Sequence, residues 1–88
     1  MITDLDREVM LITQEECAEV TQAISKVFRF GFLSEHNGKN NREHLEEEIG
    51  DLMCMIDLMR EAQLVRWSRV VEASEKKRDK LRKWSNIK

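Results

Sequence analysis

Four carboxylates in this chain fall into two pairs, Glu16 with Glu19 and Glu48 with Asp51. Side chains at i and i+3 project from one face of a helix, so each pair makes a two-oxygen claw. At about 100° per residue, Leu5, Val9, Ile12, Val20, Ala23 and Val27 gather on one side of a first helix. Glu16 points into the middle of that stripe, Glu19 lies on its near flank, and Glu15 sits further out. On a second helix Glu48 falls beside Met55 and Met59, with Asp51 at the edge of the arc. Glu46, Glu47, Asp57 and Glu61 avoid the arc and read as ordinary surface.

A carboxylate turned toward a core is costly unless something neutralises it. No Lys, Arg or His occupies the facing positions, which leaves proton uptake or a bound cation. If the two helices pack antiparallel, the claws face each other and form a hard-oxygen cage. Such a cage suits Mg²⁺ or Mn²⁺, and zinc is disfavoured without Cys or His in the set. The same spacing also occurs on solvated helices, so spacing alone leaves cage and surface decoration both open. Gly50 favours the cage. It stands between Glu48 and Asp51, where Gly costs roughly 1 kcal/mol against Ala, a placement that makes sense if a backbone or ligand comes close.

The elements that must position these acids are helical. With 88 residues, no Pro and three Gly, and without strand-type runs, the chain predicts an all-α fold in one domain, residues 1–88. The first helix is expected over about Thr3–Phe28, ending near Gly31, a residue suited to closing helices. Residues 31–40, GFLSEHNGKN, read as a loop. The second helix starts near Asn40 or Asn41, where Asn40 and Glu43 form a capping-box variant. Its apolar face carries Leu45, Ile49, Leu52, Met55, Ile56 and Met59. A break at about Ala62–Val65 precedes a third helix, about Arg66–Trp84, thinly apolar and packed on the other two or on a neighbouring subunit. So small a chain buries a thin core. A helical hairpin plus a C-terminal helix, its four-helix-bundle-type core completed by a homo-oligomer (dimer or tetramer), is the expected architecture.

Charge is unevenly spread. Residues 1–61 hold 14 Asp/Glu against 6 Lys/Arg, and residues 62–88 hold 3 against 9. The basic end is either an arm for polyanions or a complement to a helix dipole. The acidic whole argues against a dedicated nucleic-acid binder. Cys17 and Cys54 lack metal-ligand spacing and read as structural thiols. No apolar run suggests a membrane span or a signal segment, and a cytoplasmic location is expected.

At the acids the chain resembles a known family. Glu15-Glu16-Cys17-Ala18-Glu19 followed by Glu48-Ile49-Gly50-Asp51 is similar to the EExxE…ExxD signature of MazG-like all-α nucleoside triphosphate pyrophosphohydrolases. The resemblance runs through LITQEECAEVTQAISKVFRFG and NREHLEEEIGDLM and covers residues 9–60 well. The C-terminal third matches more loosely, and its KLRKWSN ending resembles small phage members, which would place the protein in a host cytoplasm. The resemblance implies Mg²⁺ held by Glu16, Glu19, Glu48 and Asp51, with Mn²⁺ as a substitute. It also implies hydrolysis of a nucleoside triphosphate to monophosphate and pyrophosphate, for house-cleaning or adjustment of dNTP pools, with dGTP or dCTP as plausible substrates.

Phosphoryl chemistry of this kind needs charge neutralisation and positioning more than a covalent nucleophile. Glu15 is then the candidate for orienting or deprotonating the attacking water, its alternative being a solvent-facing helix acid. Lys26 and Arg29, and Lys76, Lys80 and Lys83 of the third helix, are candidate phosphate contacts, each of which also reads as surface. Trp84, Trp67 and Phe30 could stack on a base, although an aromatic in so small a protein is more often core or interface. Asn37, Asn40 and Asn41 are explained by turn and cap chemistry, and His36 and His44 are assigned to surface. The rival reading is a non-catalytic helical oligomeric interaction module, on which divalent ions would have no effect. A carboxylate-bridged di-iron bundle is discounted for want of paired Glu-x-x-His motifs.

Overall fold

A computed structural model describes residues 1–88 as three helices and one minute hairpin, 75% helical. Helix α1 spans Asp4–Phe30, strands β1 and β2 span Glu35–His36 and Lys39–Asn40, α2 spans Asn41–Glu61, and α3 spans Trp67–Trp84. The fold is all-α, as the periodicity predicts, and no helix is long and apolar enough to cross a membrane.

Local chemistry sets the helix ends. Thr3 opens α1 with a capping box. Its hydroxyl accepts from the Asp6 N–H at 3.0 Å, and the Asp6 carboxylate accepts from the Thr3 N–H at 3.1 Å. Asn40 does the same for α2 with Glu43, at 2.9 and 3.1 Å. The helix α1 runs two residues further than its expected end and closes on Gly31. That residue has φ +85° and donates its N–H to the Val27 carbonyl at 2.8 Å. The break after α2 is a Schellman closure. Gln63 takes φ +58°, its N–H reaches the Arg60 carbonyl, and the Leu64 N–H reaches that of Met59, both at 3.0 Å.

The expected 31–40 loop contains a structured hairpin. Glu35 pairs with Asn40 and His36 with Lys39, antiparallel, around Asn37 and Gly38, both at positive φ. Asn-Gly between paired residues is the sequence mark of such two-residue turns. The hairpin is fastened to α2 by an ion pair between Lys39 and Glu47.

Helices α1 and α2 pack along each other, and their seam holds the whole core. Ala23 and Met55 are its only buried apolar residues, and Asn41, at the hairpin end of the seam, is the one buried polar residue. Leu5, expected in the stripe, is 68% exposed, and Ile49 is exposed too. Val9, Ile12, Val20 and Val27 are half-buried. The third helix departs from expectation: α3 packs along neither α1 nor α2 within the chain. Its firm tie is the Arg60 guanidinium, 4.6 Å from the Trp67 ring centre. The result is a flat, open shape of 44 × 37 × 14 Å with a radius of gyration of 15.9 Å. A compact chain of this length would have about 12 Å.

Candidate metal centre

The antiparallel seam brings together acids from both helices. Glu16 of α1 and Glu48 and Asp51 of α2 each offer a carboxylate oxygen, all within 4.8 Å of one another. Glu16 and Glu48 are half-buried, and Asp51 is exposed at the rim. One Glu16 oxygen, Oε2, is buried and accepts no hydrogen bond. A buried carboxylate oxygen without a donor costs free energy, and native proteins rarely leave one so. Burial of the Glu16 carboxylate holds its pKa above the usual 4.5, and the charges of Asp51, Glu48, Glu19 and Glu15 push it further in that direction. No cation is among the charges acting on it. Three convergent oxygens, one orphaned, with no basic side chain to answer them, match the donor set of a hard divalent cation.

Glu19 lies outside this close group. It sits exposed one turn along α1 from Glu16, near enough for its charge to act there. Glu15 is likewise exposed on the outer side of α1. A Cβ built on Gly50 would meet nothing within 4 Å, so no other part of this chain comes close to that turn. Whatever favours glycine at that turn is not a close approach inside the protomer.

The candidate phosphate contacts are scattered. Lys26 lines a cleft against the hairpin, with Phe30, Ser34, Glu35, His36 and Asn41. The Arg29 guanidinium lies 5.0 Å from the Phe30 ring centre. On α3, Lys76 pairs with Glu72 at 3.0 Å, Lys80 and Lys83 are exposed, and Trp84 is 85% exposed. A second cleft, between α3 and the C-terminus, carries Lys77, Arg78, Arg82 and Lys88. Neither cleft takes in the acids, and within one chain the basic helix is not among the elements that build the acid group.

Of the cleft residues only Ser34 and Glu35 carry no mark in the sequence; Lys26 and Phe30 are candidates there, and His36 is exposed as expected. Asn41 does more than cap a helix: it donates its Nδ2 to the Gly31 carbonyl at 2.9 Å and, more weakly, to that of Lys26 at 3.5 Å. Its signal was the Asn37-Gly38 pair, which folds the 31–40 segment back on the helix ends.

The family model of the MazG nucleotide pyrophosphohydrolase domain matches residues 6–83, a span that includes all the acids above. No curated protein and no solved structure matches the chain.

Proposed function

The chain belongs to the MazG nucleotide pyrophosphohydrolase domain family, and from that premise we propose that it hydrolyses a nucleoside triphosphate to the monophosphate and pyrophosphate with Mg²⁺ or Mn²⁺. The observation that carries this reading is the acid group at the α1–α2 seam, with its one buried and unpartnered Glu16 oxygen. Glu16, Glu48 and Asp51 hold the cation, and Glu19, one turn away on the same helix, joins them. When bound, such a cation supplies positive charge against the triphosphate oxygens and the departing pyrophosphate.

The chain's own residues supply the rest. Glu16 and Glu48, set in the seam between two packed helices, would fix where the cation sits and so which part of the face the phosphates approach. Glu15, exposed beside Glu16, orients the water and takes its proton. Lys26 and Arg29 lie further along α1 toward the hairpin and steer the polyphosphate. On the open side of the protomer the substrate also needs walls, and α3 offers Lys76, Lys80, Lys83 and Trp84 to a neighbouring copy. The working form is therefore a homo-oligomer. Exposed Ile24, Phe28, Ile49 and Met53 on the hairpin helices support this, since so much apolar surface on so small a chain favours association. The preferred substrates are deoxynucleoside triphosphates, dGTP or dCTP among them.

The test is to incubate the protein with each canonical dNTP and NTP plus Mg²⁺ or Mn²⁺ and to identify the products. Monophosphate and pyrophosphate are expected in equal amounts. Glu16→Gln and Glu48→Gln should each abolish turnover while circular dichroism shows the helices intact. Release of orthophosphate and diphosphate, or full turnover by either variant, would contradict the assignment.

A further inference from the structure

The hairpin cleft and the acid group belong to one face of the molecule. Seven residues are nearly two helical turns, so positions seven apart align within about 20°. On α1 that places Glu16, Ala23 and Phe30 on one line and Glu19 and Lys26 on the line beside it. On α2 it aligns Asn41, Glu48 and Met55. Ala23, Met55 and Asn41 are the buried residues of the chain, which shows that these lines face each other across the seam. The cleft thus continues the acid group toward the hairpin. Seven residues at 1.5 Å rise separate Asn41 from Glu48, and Lys26 from Glu19, by about 10 Å. That is the reach from the phosphates of a nucleoside triphosphate to its base.

The cleft is built to receive a flat ring. Phe30 is 57% exposed, and the Arg29 guanidinium lies over it at 5.0 Å from the ring centre. A cation on one face of an aromatic ring holds it in place and leaves the other face for stacking. Ser34, Glu35 and His36, residues with hydroxyl, carboxylate and imidazole side chains, line the same cleft. Its walls are fixed before any ligand arrives. The Asn41 and Arg42 N–H groups donate to the Ser34 and Phe32 carbonyls, both at 3.1 Å, and Asn41 Nδ2 clamps the Gly31 carbonyl. Lys39 and Glu47 tie the hairpin down.

Resting on the proposed function, we infer that the cleft between Phe30 and the 34–36 segment is the nucleoside subsite. The base stacks on Phe30, Ser34, Glu35 and His36 read its polar edge, and Lys26 meets the phosphate chain between base and acids. The hairpin, rather than the acids, then sets base preference.

Two measurements test this separately from turnover. Titrating ¹⁵N-labelled protein with each of the four canonical deoxynucleoside monophosphates, without divalent ion, should shift the amides of residues 26–41, most strongly for the preferred base. Phe30→Ala should remove those shifts. In steady-state assays Phe30→Ala should raise KM for the preferred triphosphate about 10-fold or more, the scale of one base–aromatic stack. Inhibition by inorganic tripolyphosphate, which has no base, should be unchanged, and Phe30→Trp should restore KM. Amide shifts confined to other segments, or equal weakening of nucleotide and tripolyphosphate, would overturn the subsite. Loss of turnover in the wild type would count against the proposed function, and the amide shifts would still decide the cleft.

Discussion

At the scale of single residues, Glu16 carries most of the meaning. Its phase within the apolar stripe marked it in the sequence, and the seam indeed buries one of its oxygens without a donor. Legible too was its partnership with Glu48 and Asp51, because spacing of i and i+3 fixes which face an acid pair takes. Glu19 was not separable from Glu16 in this way. A flank position one turn along reads the same in sequence whether or not its carboxylate closes on the group. The raised pKa of Glu16, caused first by burial and then by Asp51, Glu48, Glu19 and Glu15, gives a testable pH dependence. Below the unfolded value near 4.5 the group is protonated in both states, and its stabilising contribution is complete. As pH rises through the folded value that contribution is lost, because the native state has been holding the extra proton. Ion-free wild type should therefore fall in stability relative to Glu16→Gln as pH rises from about 4.5 toward neutrality, in paired denaturant melts. A flat difference across that range would contradict the assignment of a strained acid.

At the scale of elements, the helices and their caps were mostly legible and their terminations less so. Asn40 with Glu43 announced the start of α2, but Thr3 with Asp6 does the same for α1 and went unread. The break after α2 was placed correctly without a visible cause, since the closure uses Gln63 at positive φ where Gly or Asn is usual. An L residue there carries a steric cost of about 1 kcal/mol or more. Gln63→Gly should accordingly stabilise the folded protein by roughly 1 kcal/mol in thermal or chemical melts, with no change in catalysis. A destabilised variant would show that the Gln63 side chain contributes more than its backbone costs. The hairpin was missed for a different reason. Two-residue strands have no periodicity to read, and only the Asn37-Gly38 turn betrays them.

For the whole molecule, the sequence forecast a thin core, and the structure is thinner still. Three residues are buried among 88, so a protomer of this shape has little to hold it alone. What periodicity cannot give is the position of a helix that packs along no other helix of its own chain, and α3, tied mainly through Trp67 to Arg60, is that case. Residues 62–88, which include α3, carry 9 basic against 3 acidic side chains, and residues 1–61 carry 6 against 14, a complementarity that the proposed oligomer would use between copies. Analytical ultracentrifugation should find dimers or tetramers at micromolar concentration, and the melting temperature should rise with protein concentration. A monomer with a concentration-independent melt would contradict the oligomeric account.

The acids of the α1–α2 seam stand or fall on whether they hold a divalent cation. Titration of Mn²⁺ followed by electron paramagnetic resonance reads this directly, with no substrate present. Saturable binding to the wild type, lost in Glu16→Gln and in Glu48→Gln while both remain helical, is the predicted result. Equal Mn²⁺ affinity in wild type and variants, or no binding by any of them, would contradict it.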